Sequence, residues 1–491
     1  VDKTAFALRM IEEGTAYFLS RPRRFGKSLF LSTLAELFAG NESLFRGLYC
    51  HDKWDWTIKY PVIRISFGGG GTKNPETLEA GIRFQLNTHA ARLGVSVADD
   101  SISVQFASLI LQAEARFGQR VVVLVDEYDK PILDNLTKPD LALEMRDRLR
   151  DLYSVIKDQD AHIKFALLTG VSKFSKVNIF SGLNNLNDIT LDAGYSNLCG
   201  YTDADVDTVF APELDGLDRD EIRHWYNGYN WRGEAVYNPF DLLLLFDCRE
   251  FRPFWFETGT PTFLLDMLTE RKVYLPSLLK MESASELISA FEVGDISTEA
   301  LMFQSGYLTL AGEENLGGDI FYILGFPNRE VRSALNAALL GTWIGNAQQG
   351  AMHRAALFRA LQKNDFERLW EIFFSLYASI PHDWLRKNGL DRFEGYYASV
   401  FYASFAALGL DIVPEDVSNH GQLDMAVKFN GQVYLFEFKV VADKAEGRAL
   451  QQIREKRYAD KYRAPDRPVH LIGVEFGKKA RNVVGFEVEA A

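Results

Sequence analysis

Two acidic residues face each other across a β-hairpin that the sequence predicts near the end of the chain. The Asn-Gly dipeptide at 430–431 is the strongest short signal for a two-residue type I′ turn, because both positions need a positive φ. If Phe429 pairs with Gln432, the register places Asp424 opposite Glu437. Two ionised carboxylates about 5 Å apart repel by roughly 3 kcal/mol at an effective dielectric constant of about 20. A divalent cation would offset that repulsion, so the pair is a candidate metal site.

Neighbouring residues could turn this pair into a site that cleaves phosphodiesters. Asp424 and Glu437 would bind Mg²⁺ or Mn²⁺, the metal would activate a water molecule, and Lys439 would orient that nucleophile. Glu394 lies in the first turn of a predicted upstream helix, and its carboxylate could approach the same face. The opposite face of the hairpin is apolar and is expected to pack on the core.

A basic segment follows the hairpin. From 439 to 463 the chain has eight basic and four acidic residues, and 446–463 has a helical pattern. Local positive charge of this kind is what contact with a phosphate backbone needs. The alternative is a solvated outer face, on which the hairpin and helix carry ordinary mixed surface charges.

A second candidate site lies near the start of the chain. The segment 20–30, SRPRRFGKSLF, follows a predicted strand and opens a predicted helix. In a phosphate-binding loop the backbone N–H groups face the phosphates, Lys27 would reach the β- and γ-phosphate oxygens, and the Ser28 hydroxyl would bind Mg²⁺. Arg21 stands where the pattern G-x-x-x-x-G-K-[ST] has its first glycine. The candidate nucleotide-binding residues in this loop are Arg24, Phe25, Gly26, Lys27 and Ser28.

An acidic strand supports the same interpretation. The apolar run VVVLVD ends at Asp126, which would hold the Mg²⁺ ion, and Glu127 would activate the attacking water. Thr169 ends the next strand, where it could sense the γ-phosphate. Each signal alone could be a chance basic tripeptide or a strand that reaches solvent, but their order along the chain predicts an NTPase-type domain. The arginine that would complete this site cannot be identified from the sequence.

The elements that must position these residues form three regions. Up to about residue 194, apolar strands at 16–20, 62–67, 121–126 and 164–170 alternate with helices such as 76–93 and 141–157. That alternation predicts a parallel sheet flanked by helices. Residues 195–385 are predicted to be mostly helical, and an α/β segment runs from 386 to 491.

Composition sets limits on the class of protein. The chain has 491 residues, 47% of them hydrophobic and 25% charged, which predicts a globular protein of two or three domains. The net charge of −13 argues against a protein that coats nucleic acid non-specifically. The three cysteines are far apart and lack CxxC spacing, so a disulfide framework or zinc site is not implied and a reducing cytoplasm fits best. No apolar run reaches the length of a transmembrane helix.

Taken together, these motifs resemble AAA-ATPase-like proteins that carry a C-terminal PD-(D/E)XK nuclease domain. The resemblance extends over nearly the whole chain and rests on RPRRFGKS, VVVLVDEYDKP, WYNGY, FEGYY, GQLD and FEFKV. It implies an α/β fold class with a P-loop AAA-ATPase-like domain at 1–194, a helical lid or linker at 195–385, and a restriction-endonuclease-like α/β/α domain at 386–491. The nuclease motif positions implied by the resemblance are Glu394, Asp424, Glu437, Lys439 and Gln452.

The resemblance also implies cofactors, partners and origin. It implies ATP and Mg²⁺ as cofactors, DNA as the partner, and a bacterial or archaeal intracellular protein. A loop without its first glycine is typical of the family, whereas Gln422 departs from the more frequent arginine at that position. An ATPase that controls a nuclease suggests a homo-oligomer, although no interface can be read in the sequence. Two other functions fit the residues: an ATP-driven switch whose nuclease fold binds DNA without cutting it, and a signalling NTPase scaffold.

Overall fold

The computed structural model describes residues 1–70, 72–98, 100–174, 185–257, 262–285, 296–380, 394–464 and 467–491. The side chains of residues 256, 257, 262, 263 and 394 also lie outside the described part. The chain divides into two compact units, Val1–Phe251 with Met281–Pro327, and Arg252–Lys280 with Asn328–Ala491. Residues of the central region therefore contribute to both units.

The first unit is built on a five-stranded parallel sheet with the order β2-β3-β4-β1-β5. Its strands are β1 (Ala16–Ser20), β2 (Val62–Ser66), β3 (Val121–Asp126), β4 (Ile163–Gly170) and β5 (Asn187–Asp188). The four strands predicted from the sequence are confirmed, because long apolar runs are favoured where both faces of a sheet are covered. β4 lies between β1 and β3 and is parallel to both, so the loop after β1 and the acidic end of β3 lie at the same edge of the sheet.

A second, smaller sheet in this unit is antiparallel and has the order β6-β8-β7. Its strands are β6 (Met281–Ala284), β7 (Thr309–Leu316) and β8 (Asp319–Gly325). It lies in the region that the sequence predicts to be mostly helical, and no strand was predicted there. The β7–β8 connection is the Gly-Gly dipeptide at 317–318, where both residues have positive φ.

Helices cover the sheets of both units. In chain order they are α1 (Thr4–Glu13), α2 (Lys27–Phe38), α3 (Pro75–Leu93), α4 (Ile102–Phe117), α5 (Lys130–Leu133), α6 (Pro139–Asp158), α7 (Asp203–Thr208), α8 (Arg219–Tyr226), α9 (Pro239–Cys248), α10 (Phe254–Glu257), α11 (Thr262–Glu270), α12 (Thr298–Gln304), α13 (Arg329–Ile344), α14 (Ala347–Lys363), α15 (Phe366–Ser379), α16 (Glu394–Ala406) and α17 (Arg448–Glu455). Short 3₁₀ turns lie at 42–45, 160–162, 193–195, 211–214, 275–279 and 458–462.

The second unit contains a mixed five-stranded sheet with the order β13-β12-β11-β10-β9. Its strands are β9 (Asp411–Ser418), β10 (Gly421–Phe429), β11 (Gln432–Val441), β12 (Val469–Gly477) and β13 (Asn482–Ala490). The predicted hairpin is confirmed: Asn430 and Gly431 have φ of 50° and 76°, and Phe429 pairs with Gln432. β11 and β12 are parallel and are connected through α17.

Both faces of this hairpin are covered. Phe436 and Phe438 contact Phe401 of α16, with ring centroids 5.4 and 5.0 Å apart. On the other face, Leu435 belongs to a buried cluster with Leu450 of α17. Since successive strand residues alternate between faces, the carboxylate at position 437 lies on the α17 side. The alternative interpretation, a solvated outer face, is therefore wrong for Glu437 of the hairpin.

The predicted helix over 446–463 is shorter than expected. α17 ends at Glu455, and a 3₁₀ turn follows from Tyr458 to Tyr462. Between them Arg457 has φ of 50°, a left-handed conformation that no α-helix can contain. The sequence keeps its helical periodicity across this break, and no glycine or proline there indicates that the helix ends.

Candidate functional site

The structure brings three of the predicted nuclease residues together around Glu437. Its side chain is 1% exposed, and its Oε1 accepts hydrogen bonds from Lys439 Nζ at 2.9 Å and from Gln452 Nε2. Its Oε2 is buried and has no hydrogen-bond partner among the described residues. Burial first, and then the negative charge of Asp424, raise the pKa of Glu437 to about 7. This is a carboxylate whose charged form lacks full compensation in the protein itself.

Asp424 lies beside Glu437, but not as a regular ladder pair. The β10–β11 pairs run from Phe429 with Gln432 to Met425 with Phe436, one step before the predicted acidic pair. Asp424 Oδ2 instead accepts the backbone N–H of Phe438 at 2.6 Å. The five pairs of the ladder therefore follow the predicted register, and beyond its last pair the side chain of Asp424 binds the backbone of the facing strand.

The oxygen atoms at this position fit a hard divalent cation. In the described part of the chain Glu437 Oε2 lacks a donor, Asp424 adds a second carboxylate, and Mg²⁺ and Mn²⁺ prefer oxygen ligands. In the described part of the chain, no group of three or more His, Cys, Asp or Glu residues could hold a metal ion. Glu394 is the first residue of α16, and its side chain lies outside the described residues.

The basic segment after the hairpin is less available for contact with a phosphate backbone than its charge count predicts. Most of its basic side chains form ion pairs, and the pairs are Arg448 with Glu446, Arg454 with Glu489, Arg457 and Arg463 with Asp460, and Lys461 with Asp416. Two of the four acidic partners, Glu489 on β13 and Asp416 on β9, lie outside the segment, so a charge count along the segment could not reveal them. Contact with a phosphate backbone would have to compete with these pairs.

The loop that begins at residue 20 has two left-handed backbone positions directly before its helix. Arg24 and Gly26 have φ of 72° and 92°, and α2 begins at Lys27, directly after Gly26. Lys27 Nζ donates to the carbonyl oxygens of Arg21 and Pro22, both at 2.8 Å. Burial lowers the pKa of Lys27. The lysine therefore folds back over its own loop.

Two side chains of this loop point into the protein. Arg21 is 1% exposed, donates to the carbonyl oxygens of Ser20 and Thr190 at 2.8 and 2.7 Å, and lies 4.3 Å from the centroid of the Trp231 ring. Phe25 packs edge-on against Trp231 at 5.2 Å. The prediction that Phe25 binds nucleotide can therefore hold only for its backbone, because the ring is enclosed by aromatic side chains. The arginine in place of glycine anchors the loop instead of obstructing it.

The acidic strand ends beside this loop. Thr169 Oγ1 donates to Asp126 Oδ1 at 3.1 Å, so the threonine predicted to sense a phosphate holds the aspartate in place. Glu127 is half-buried with φ of 55°, and burial together with the charge of Asp126 raises its pKa. Ser28 is exposed in the first turn of α2.

Comparisons with known proteins find one family over each of the two regions that contain these residues. A family model described as "Predicted AAA-ATPase" matches residues 1–180, and one described as "PD-(D/E)XK nuclease superfamily" matches 392–486. A protein of Azotobacter chroococcum mcd 1, named "Uncharacterized protein in vnfD 5'region", is 62% identical over 490 residues, which cover 100% of this chain and 95% of the relative. The chain belongs to the AAA-ATPase-like family with a C-terminal PD-(D/E)XK nuclease domain. No solved structure matches this AAA-ATPase-like protein.

Sequence reasoning missed two buried acids that shape the sites of this AAA-ATPase-like protein. Asp129 is fully buried and accepts three hydrogen bonds, from the N–H of Val171 at 3.0 Å and from the N–H and hydroxyl of Ser172, both at 2.6 Å. It thereby fixes the chain directly after β4. Its position in the motif VDEYDKP, beyond the acidic pair, was the available signal.

Glu475 is the second missed acid. It is 2% exposed on β12 and accepts the backbone N–H groups of residues 446–449 at the start of α17, with distances of 3.1, 2.7 and 3.3 Å for Gly447, Arg448 and Ala449. A carboxylate is favoured at a helix N-terminus, where N–H groups lack partners. A lone acid in the apolar run HLIGVEFG was the signal. By holding α17, Glu475 also positions Gln452 over Glu437.

In the described residues of the AAA-ATPase-like protein, no helix has the length and apolar character needed to cross a membrane. Gln422 is exposed, and its backbone carbonyl accepts a hydrogen bond from the hydroxyl of Tyr458 at 2.8 Å.

Proposed function

We propose that this protein binds and hydrolyses ATP at the loop of 20–30 and cleaves DNA phosphodiester bonds at Glu437, with Mg²⁺ used at both sites and Mn²⁺ as a substitute at the second. The observation that carries the nuclease proposal is the buried Glu437 carboxylate, which has one oxygen held by Lys439 and Gln452 and the other without a donor among the residues that the structure describes. Such a group is costly in a metal-free protein and is stabilised by a cation.

At the nuclease site, each residue of the chain has a separate task. When bound, Mg²⁺ would supply a Lewis acid and lower the pKa of a coordinated water. Asp424 and Glu437 would hold the ion, and Gln452 fixes the orientation of the Glu437 carboxylate. Lys439, partly exposed at 30%, is close enough to orient the attacking water and to balance negative charge on the phosphate. Glu394 would complete this group from α16.

At the nucleotide site, the chain supplies the phosphate contacts and a base. The N–H groups at Gly26 and the first turn of α2 would bind phosphate oxygens, and Lys27 would exchange its carbonyl partners for them. Ser28 and Asp126 would bind Mg²⁺. Glu127 would take the proton of the attacking water, a role that its raised pKa favours.

We further propose domain limits at 1–194, 195–385 and 386–491, and a bacterial or archaeal cytoplasm as the compartment. Three free cysteines, two of them buried, support a reducing environment.

A signalling scaffold is the second candidate. The observation that favours it is the ion-paired basic segment, which leaves few free cations for contact with a phosphate backbone. A signalling scaffold would need neither DNA binding nor cleavage.

Cleavage of supercoiled plasmid distinguishes these functions. The wild type should nick plasmid with Mg²⁺, Glu437→Ala should not, and Lys27→Ala should remove the effect of ATP while leaving the nuclease residues intact. Glu455→Gln, an exposed change on α17, is the matched control and should behave as the wild type. DNA binding without cleavage under all conditions would favour the switch. Failure to bind DNA even at low salt would favour the scaffold.

Metal-dependent stability tests the nuclease site independently of turnover. Mg²⁺ or Mn²⁺ should raise the melting temperature of the wild type and raise that of Asp424→Asn less, because the variant has lost one anionic ligand. Equal shifts in both proteins would count against the metal site.

A further inference from the structure

Each carboxylate oxygen of Asp126 has a partner within the protein. Thr169 binds Oδ1 at 3.1 Å, and Arg64 Nη2 of β2 lies 3.3 Å from Oδ2. Arg64 and Asp126 lie on neighbouring strands, where Ser66 pairs with Asp126 and Arg64 lies two residues earlier on the same face. Arg64 therefore forms an ion pair with Asp126, the carboxylate that the proposed function assigns as a Mg²⁺ ligand.

The same guanidinium also reaches the phosphate-binding helix. Arg64 Nη1 donates to Ser32 Oγ at 2.9 Å, and Ser32 Oγ in turn donates to the carbonyl oxygen of Ser28 at 2.9 Å. Arg64 therefore connects the two elements, α2 and β3, that carry the proposed Mg²⁺ ligands Ser28 and Asp126. Its Nε is buried and has no acceptor among the described residues, so the guanidinium retains an unused donor.

The backbone that carries Arg64 is held rigidly. β2 is an edge strand, and side chains of α3 bind its exposed backbone groups at alternate residues. Arg92 donates to the carbonyl of Val62 at 2.7 Å, and His89 Nε2 lies 2.6 Å from the carbonyl oxygen of Arg64. Gln85 binds both the N–H and the carbonyl of residue 66, at 2.8 and 3.0 Å. With its backbone fixed, Arg64 can change partners only by rotating its side chain, which is 32% exposed.

We propose that Arg64 is the arginine that completes the nucleotide site, and that it acts as an exchangeable counter-ion. In the nucleotide-free protein it holds Asp126. With Mg²⁺ and nucleotide bound, Asp126 would be available to hold the metal, and the guanidinium would be available to bind the terminal phosphate. This inference rests on the proposed ATP site and adds to it a positioning residue that distinguishes ATP from ADP.

The chemistry supports such an exchange. Arginine stays protonated at any physiological pH, so its charge on Asp126 opposes a metal ion at the same oxygen. Its planar fork matches phosphate oxygens as well as carboxylate oxygens. One charge-assisted hydrogen bond corresponds to about a tenfold change in affinity, which is about 1.4 kcal/mol.

The test uses the full-length protein with fluorescent ATP and ADP analogues, titrated with Mg²⁺. In Arg64→Gln, half-maximal ATP-analogue binding should need about tenfold less Mg²⁺, and the preference for the ATP over the ADP analogue should fall about tenfold. Ser32→Ala removes the second anchor of the guanidinium and should shift the Mg²⁺ requirement in the same direction but less. Arg148→Gln, which removes an exposed arginine of α6 that pairs with Glu79, is the control and should change neither quantity.

Other results would overturn the inference in distinguishable ways. If the wild type binds nucleotide and both Arg64→Gln and Ser32→Ala keep its Mg²⁺ requirement and its ATP preference, Arg64 has no such role while the ATP site stands. If the wild type binds neither analogue at any Mg²⁺ concentration, the proposed ATP site fails and the role of Arg64 fails with it. Arg64→Lys is a control for misfolding, because it keeps the positive charge but lacks the planar guanidinium fork. This variant should retain the Mg²⁺ requirement of the wild type and lose its preference for the ATP analogue.

Discussion

Replacing Glu437 with glutamine should stabilise the metal-free protein at alkaline pH. Burial and the neighbouring Asp424 raise the pKa of Glu437 from its ordinary value of 4.5 to about 7. The folded protein therefore holds this proton more tightly than the unfolded chain does. Wild-type stability should fall as the pH rises from about 4.5 to about 7 and then become independent of this group.

The size of the effect follows from the same values. Each tenfold change in proton affinity is worth about 1.4 kcal/mol, so ionising Glu437 costs the folded state about 3 kcal/mol above pH 7. At pH 5 most of that cost is absent, because the folded protein keeps the proton. Glu437→Gln removes the charge at nearly constant shape. The variant should be more stable than the wild type by about 3 kcal/mol at pH 8 and by less than about 1 kcal/mol at pH 5.

Urea pulse proteolysis in EDTA can measure this difference. The quantity measured is the surviving fraction of a fragment that contains residues 421–441, at pH 5 and pH 8, for the wild type and the variant. Comparing the two proteins at each pH cancels the other titrating groups. Glu455→Gln, an exposed change nearby, should show no pH-dependent gain. A glutamine variant with the same gain at both pH values, or with none, would refute the assignment of a destabilising buried charge.

Two further changes test how the sites are held. Glu475→Ala should lower the stability of the second unit by about 3 kcal/mol or more, because the alanine leaves the N–H groups of 446–449 without an acceptor. Glu475→Gln should lower it by less. Thermal unfolding measures these differences, and equal melting temperatures for both variants and the wild type would contradict the prediction. Arg21→Gly, which restores the glycine of the P-loop pattern, should lower the stability of the folded protein by about 2 kcal/mol or more. The change removes hydrogen bonds to buried carbonyls and the contact with Trp231. If the Arg21→Gly variant had the melting temperature of the wild type and bound nucleotide more tightly, Arg21 would impair nucleotide binding by the loop and would not stabilise it.

Local patterns predicted the elements of both sheets that matter most. The buried strands at 16–20 and 121–126 and the turn at 430–431 follow from apolar runs and from the φ preferences of Asn and Gly, which act within a few residues. The break of α17 at Arg457 was missed because that residue type gives no sign of a left-handed backbone. The small sheet of β6, β7 and β8 was missed because β6 pairs with a strand about forty residues later.

The partners of the site residues required the tertiary structure. Sequence periodicity brought Lys439 to the face of Glu437, and the structure confirms their contact at 2.9 Å. No local pattern could pair Arg64 with Asp126 or place Glu475 at the start of α17, because those partners come from different strands and helices.

The amino-acid sequence by itself therefore determined which residues could perform phosphate chemistry and which short elements carry them, since turn preferences and strand periodicity are properties of adjacent residues. Tertiary structure alone decided which oxygen of Glu437 is left without a donor, where Arg21 is buried, and which cation holds Asp126. Those outcomes depend on desolvation and on hydrogen bonds between distant segments, and both exist only once the chain has packed.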